Sequence, residues 1–167
     1  MKDNIIFRDA SMEDLPMIVE IYNATIPSRM VTADTEAVSI SDRVEWFNEH
    51  NPDKRPLWVV EYLGKVCGWV SFQSFYGRPA YNGTAEVSIY LHKEFRGKGL
   101  GKITLNKVIE ECPNFEIDTL LGFVFAHNEP SIKLFSSIGF EKWAHLPEVA
   151  KLDGMKRDLV ILGKKIS

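Results

Sequence analysis

The sequence predicts an α/β fold of the α+β kind, a three-layer sandwich in which a mostly antiparallel central sheet is flanked by helices. Three observations predict it. Segments of period two and period 3.6 follow one another in the order βααβββαβαββ. Two β-forming runs, 57–62 and 66–72, close around Leu63-Gly64-Lys65 as a hairpin. Between residues 84 and 112 an alternating segment passes through a glycine-rich loop into a helical one.

Ile5, Ile6, Phe7 and Arg8 form a first short strand. Ser11 and Asp14 both offer an N-cap to a helix whose Leu15, Ile18, Val19, Tyr22 and Ile26 make one apolar stripe. Pro16 falls in its first turns, where the missing N–H costs least. The polar segment 27–39 is expected to be extended. A second helix, over 41–51, carries Val44, Trp46 and Phe47 and is stopped by Asn51-Pro52-Asp53. Trp46, Phe47, Trp58 and Trp69 are core candidates.

After the hairpin, residues 75–83 are an aromatic loop broken by Gly77, Pro79 and Gly83. In 84–91, Ala85, Val87, Ile89 and Leu91 face one way and Glu86, Ser88 and Tyr90 the other. Leu105, Val108, Ile109 and Cys112 then recur at helical spacing. Residues 120–125 read as a strand. Asn128-Glu129-Pro130-Ser131 opens a helix with Ser131, Leu134, Phe135 and Ile138 inward, ended by Gly139-Phe140. Segments 141–146 and 156–162 are the last strands, separated by a turn at Leu152-Asp153-Gly154.

A chain of 167 residues at 45% hydrophobic suits one compact domain with a full core. The net charge of −3 argues against nucleic acid as a partner. No apolar run approaches the roughly 20 residues of a membrane helix, and no signal-peptide pattern opens the sequence. Cys67 and Cys112 stand apart, without metal-ligand spacing, as buried reduced thiols of a cytosolic protein. The four histidines are scattered, so no metal site is expected.

The chemistry gathers at Arg96-Gly97-Lys98-Gly99-Leu100-Gly101. Three glycines let the backbone approach a ligand closely, and the loop feeds a helix N-terminus with outward N–H groups. Arg96, Lys98 and Lys102 add positive charge. A strand, loop and helix of this kind hold a phosphate-bearing ligand. The spacing excludes a P-loop, because Gly101-Lys102 is followed by Ile103 and preceded at five residues by Arg96. It also lacks the G-x-G-x-x-G of a dinucleotide fingerprint.

The loop resembles the acetyl-CoA pyrophosphate loop of the GNAT superfamily of N-acetyltransferases, whose pattern Arg/Gln-x-x-Gly-x-Gly/Ala is met by Arg96, Gly99 and Gly101. The element order matches that fold throughout, as do Asn128 and the Ile138-Gly139-Phe140 helix end. Ile21-Tyr22-Asn23, residues 31–35, Arg43 near Trp46-Phe47, Tyr81 with 84–91, and Asp158 resemble the phosphinothricin and methionine sulfoximine acetyltransferase branch. The resemblance implies one domain over 1–167, acetyl-CoA as donor without a metal, and a small amino-acid-like amine as acceptor. It also implies a cytoplasmic homodimer, without nucleic-acid or membrane partners.

It implies site residues too. Backbone groups of Ile89, Tyr90 and Leu91 would pair with the pantetheine arm like an added strand, one N–H facing the thioester oxygen. The loop from Arg96 through Gly97, Lys98, Gly99, Leu100 and Gly101 to Lys102 would hold the pyrophosphate. Asn128 and Ser131 would meet the cofactor from the following helix. Glu86 is the candidate base, or else a carboxylate paired with a nearby arginine. Phe135 stands where many members carry a Tyr or His that protonates the leaving thiolate. Either the thiolate leaves unassisted or Ser131, Tyr90 or His127 serves. Phe75, Tyr76, Arg78, Tyr81 and Thr32 would wall the acceptor pocket, with Arg78 suited to a carboxylate or phosphinate. Two other activities compete: acetylation of a protein N-terminus or lysine, and a non-catalytic acyl-CoA-binding module.

Overall fold

The computed structural model describes residues 2–166. Its strands are β1 (Ile5–Asp9), β2 (Leu57–Tyr62), β3 (Lys65–Ser74), β4 (Thr84–Leu91), β5 (Thr119–Phe125), β6 (Glu141–Leu152) and β7 (Met155–Lys165). Its helices are α1 (Leu15–Thr25), α2 (Val44–Asn48), α3 (Leu100–Glu111) and α4 (Glu129–Ser137). The seven strands form one sheet in the order β1-β2-β3-β4-β5-β7-β6. Every neighbouring pair is antiparallel except β4 and β5, which run parallel.

Side-chain alternation divides the core between the two faces of the sheet. On one face, Leu15, Ile18, Val19 and Ile21 of α1 bury against Val59 and Trp69. On the other, Leu100, Leu105 and Val108 of α3 and Phe135 of α4 pack on Val70, Phe72, Val87 and Leu120. Helix α1 starts where Arg8 bridges Asp14 (2.8 Å) and Glu61 (2.6 Å), while Asp14 accepts the Ser11 N–H at 2.8 Å.

Three elements differ from the sequence expectation. The segment 27–39, expected to be extended, opens with a 3-10 turn at Ile26–Ser28 and a left-handed Arg29 (φ 57°) and contains no strand. The helix expected over 41–51 is a 3-10 turn, Ser41–Arg43, followed by the five residues of α2. The His50 ring folds back onto the carbonyls of Trp46 and Phe47, and Asn51 pairs with Arg55, so the ladder ends early. The last two strands run several residues further than 141–146 and 156–162. A two-residue turn at Asp153 (φ 52°) and Gly154 (φ 82°) joins Leu152 directly to Met155. Register shifts between Leu146 and Ala150 absorb Pro147 and the left-handed Glu148. Among the described residues no helix is long and apolar enough to cross a membrane.

Candidate active site

The site begins where β4 and β5 part. Their parallel pairing covers only Thr84–Glu86 against Thr119–Leu121, so from Val87 onward that edge of β4 has no partner strand. Backbone parity decides what the open edge presents. The His92 N–H donates to Cys67 O (2.8 Å) and the Phe75 N–H to Thr84 O (3.4 Å), which fixes the even-numbered β4 residues as those bonded to β3. The N–H and C=O groups of Val87, Ile89 and Leu91 therefore point into the opening. Those of Tyr90 point at β3. The Leu91 carbonyl already accepts Arg96 Nε at 3.3 Å.

The opening is a cleft of about 540 Å³ that runs from β4 to the ends of α3 and α4. At its outer end lies the glycine loop. Gly97 (φ 74°) and Gly99 (φ 80°) are left-handed, and Gly99 is the N-cap of α3 without any side-chain cap. The first N–H of α3 to meet a helical carbonyl is that of Ile103, on Gly99 O at 3.2 Å. Those of Leu100, Gly101 and Lys102 face outward, with the guanidinium of Arg96 and the ammonium groups of Lys98 and Lys102 on the same segment. Gly101 serves packing as well, because a Cβ there would meet Leu134 Cδ2 at 3.2 Å.

The segment between α1 and α2 roofs the cleft with Ser28, Met30 and Val31. It is tied to the start of α4 at two points. His127 Nε2 lies 2.9 Å from Arg29 O, and Asn128 Nδ2 donates to Met30 O at 3.1 Å. Asn128 also caps α4 through its Oδ1, which accepts the Ser131 N–H. Behind the roof the Tyr22 hydroxyl bonds both Thr32 and Asp34, and the Arg43 guanidinium lies 4.5 Å from the Tyr22 ring centre. Burial, with Asp34 adding to it, raises the Tyr22 pKa; burial likewise raises that of Tyr90.

The β3–β4 face beneath α1 and α2 carries three directly opposed pairs: Trp69 with Tyr90, Ser71 with Ser88, and Gln73 with Glu86. The first is a ring stack at 4.5 Å. Glu86 is half-buried, and burial alone raises its pKa; neither a hydrogen bond nor a nearby cation holds it down. On the opposite wall Phe135 packs against Gly122, so close that a Cβ there would fall 2.7 Å from Cε1. It brings no proton to the cleft.

Of the residues expected to hold the cofactor, Ile89, Tyr90, Leu91, Arg96, Gly97, Gly99, Gly101, Lys102, Asn128 and Ser131 line this one cleft. Lys98 and Leu100 do not. Leu100 is only 1% exposed because its side chain anchors α3 in the core, leaving just its backbone N–H at the helix end. Glu86 sits next to the lining residues Val87 and Ser88. The expected acceptor wall stands apart from the cleft. Phe75, Tyr76 and Tyr81 cluster with ring centres 4.3 to 5.7 Å apart, Tyr76 is 75% exposed, and Arg78 is exposed. Thr32 is buried behind the roof. The sequence reading missed Met30, which carries no motif, gave Val31 no role beyond the branch-like run 31–35, and missed Asp34 and Arg43 as partners of Tyr22. Among the described residues no group of three or more His, Cys, Asp or Glu is arranged to hold a metal.

Residues 16–140 match the acetyltransferase (GNAT) family. The chain is 52% identical over 161 residues to the Bacillus subtilis protein named "Putative phosphinothricin acetyltransferase YwnH", covering 96% of this chain and 98% of that one. It is 30% identical over 156 residues to the L-methionine sulfoximine/L-methionine sulfone acetyltransferase of Pseudomonas aeruginosa, covering 93% and 91%. Among solved structures it superposes with a TM-score of 0.88 on the one described as "yncA, a putative ACETYLTRANSFERASE from Salmonella typhimurium with its cofactor Acetyl-CoA", at 27% identity, covering 98% and 95%. An open strand edge leading to an uncapped, glycine-lined helix end is thus accompanied by a family match over most of the chain, and the protein belongs to the GNAT acetyltransferase family.

Proposed function

We propose that this acetyl-CoA-dependent N-acetyltransferase acts on the amine of a small amino-acid-like acceptor of the phosphinothricin or methionine sulfoximine type. The observation that carries the reading is the unpaired β4 edge running into the bare N-terminus of α3, joined to relatives named for those acceptors. The donor's pyrophosphate fits the outward N–H groups of α3 with Arg96 and Lys102, while Asn128 and Ser131 flank its path. Its pantetheine amides pair with Val87, Ile89 and Leu91 as an added strand. An N–H of that edge polarises the thioester carbonyl and holds the oxyanion that forms on attack.

Glu86 is the base. An amine attacks only when neutral, and a carboxylate lifted by burial, free of any arginine, accepts its proton directly or through one water. The thiolate leaves without an acid at position 135, which a thiol pKa near 8.5 permits. Arg78, the cation expected for the acceptor's acidic group, is exposed in the loop that leads into β4 and stands apart from the cleft, so it is left out of the acceptor site. The long β6 edge, with Trp143 and Val149 exposed, suits pairing with a second copy. Two buried free thiols accord with the cytoplasm.

The test is thiol release from acetyl-CoA with methionine sulfoximine, phosphinothricin, ordinary amino acids and short peptides. Saturable turnover confined to the first two supports the reading. Turnover of peptides alone moves the assignment to protein acetylation, and binding of acetyl-CoA without turnover of any amine overturns it.

A further inference from the structure

The face that carries Glu86 also carries a buried serine–histidine pair outside the cofactor cleft. Ser71 on β3 is 1% exposed, and its Oγ lies 2.6 Å from Nε2 of His50. The other ring nitrogen, Nδ1, lies 3.0 Å from Trp46 O and 3.3 Å from Phe47 O. Carbonyl oxygens only accept, so Nδ1 carries the proton and Nε2 presents a lone pair, an assignment made from the partners. The Ser71 hydroxyl therefore donates to His50. Burial lowers the His50 pKa and keeps the ring neutral, ready to receive a proton, while the carbonyls of Phe47 and Trp46 at the end of α2 favour the imidazolium and offset part of that effect.

The strand register connects this pair to the cleft. Ser71 lies directly opposite Ser88, in a pair that exchanges both backbone hydrogen bonds, with the two side chains on one face. Cβ atoms in such pairs are about 5.5 Å apart, so one water or one rotamer joins the hydroxyls. Ser88 lines the cleft. Glu86 is the diagonal neighbour of Ser71 on the same face.

An ammonium that becomes an amide sheds two protons, one ending on the coenzyme thiol and one in solvent. Glu86 takes the first of them from the acceptor and, once the thiolate has left, passes it directly or through water to the coenzyme sulfur. We propose that Ser88, Ser71 and His50 form a proton path that takes the other, with His50 as its terminal base. The proposal rests on the cleft being the site of amine acetylation. The N–H bond of the tetrahedral adduct breaks as its proton bonds to Ser88 Oγ, directly or through one water. The proton of Ser88 moves to Ser71 Oγ, and that of Ser71 to His50 Nε2. Both serines end as they began, the nitrogen keeps the electron pair, and His50 ends as imidazolium until it releases the proton to solvent.

His50 acts through Ser71 and never touches the substrate, so it is a positioning and relay residue. The charges about it are few. Glu49 on its own segment is the charged group whose field reaches it, β3 presents Ser71 and Gln73, and β4 presents Glu86.

The experiment compares the unaltered protein with His50→Gln, Ser71→Ala and His50→Ala in steady-state acetylation across pH 5 to 9. His50→Gln keeps an acceptor for Ser71 and a donor for the carbonyls but cannot ionise. Its kcat is expected to fall ten-fold or more, within the range of about 10² to 10⁴ for positioned acid–base groups or somewhat below it. The acidic limb of the kcat profile should lose the contribution of His50 and keep that of Glu86, while the Kd for acetyl-CoA and the melting temperature hold. Added imidazole should restore part of the activity of His50→Ala, and the curved solvent-isotope proton inventory should become linear in Ser71→Ala. A His50→Gln protein with unaltered kcat and unaltered pH profile overturns the path while leaving acetylation standing. An unaltered protein that binds acetyl-CoA yet turns over no amine overturns both.

Discussion

Replacing Gly99 with alanine tests whether the bare helix end holds the donor. Gly99 sits at φ 80°, ψ 5° as the N-cap of α3, and nothing lies within 4 Å of a Cβ built there. The substitution meets no clash, so its cost is the backbone strain of an L-residue in the left-handed region, about 1–2 kcal/mol. For a chain of this size each kcal/mol lowers the melting temperature by about 2–4 °C, giving a drop of roughly 2–8 °C. Gly64, in the β2–β3 turn, is a matched control at φ 81° with equally open surroundings. Gly64→Ala should lose the same stability, since the strain is the same. Relaxing that strain at Gly99 turns the peptide that aims the N–H groups of α3, whereas relaxing it at Gly64 leaves the cleft untouched. Loss of one charge-assisted hydrogen bond, worth about 1.5–3 kcal/mol, weakens acetyl-CoA about 10- to 150-fold by calorimetry. Equal acetyl-CoA affinity in the two variants would refute the placement of the pyrophosphate at α3.

Glu86→Gln should lower kcat by about 10²–10⁴ with the Kd for acetyl-CoA unchanged, read by thiol release. The same variant has a pH signature in stability. Burial raises Glu86 in the folded state, so its ionised form opposes folding. Below about pH 4 both states are protonated and the effect vanishes; it grows as pH rises through the folded value. The melting temperature of Glu86→Gln relative to the unaltered protein should therefore climb between pH 4 and 7 and stay flat if Glu86 is not buried. Gly163→Ala would set a Cβ 2.0 Å from Trp143 Cε3. The strand edge should lose about 1–3 kcal/mol in chemical denaturation, and a Trp143→Ala/Gly163→Ala double variant should lose less than the sum of the two singles.

Much of the architecture was legible because it rests on local rules. The alternation in 84–91 assigned Ala85 and Val87 to one core and Tyr90 to the other, as the sheet has them. The α1 stripe and the Pro130 start of α4 were legible for the same reason. Helix α2 was over-extended because the residue that ends it, His50, does so through its ring contacts with Trp46 and Phe47 and not through any stop signal in its neighbours. The strand ends at Leu152 and Met155 were misjudged because a type of turn with two positive φ values can continue a ladder right through a sequence that looks like a loop.

By itself the sequence determined the glycine-rich loop before α3, the order of elements and the family. Glycine at left-handed positions, cations in the next turn and an alternating strand before them are consequences of bond geometry within about twenty residues. Tertiary structure alone decided what the cleft contains. The parting of β4 from β5 after Glu86 selects Val87, Ile89 and Leu91 as the free peptide edge, because hydrogen-bond parity depends on the partner strand. Packing across the sheet decided that Met30 and Val31 form the roof and that the aromatic loop stands outside it. The same packing brought His50 onto Ser71, 21 residues away, since side chains distant in the chain share a surface only after the sheet has formed.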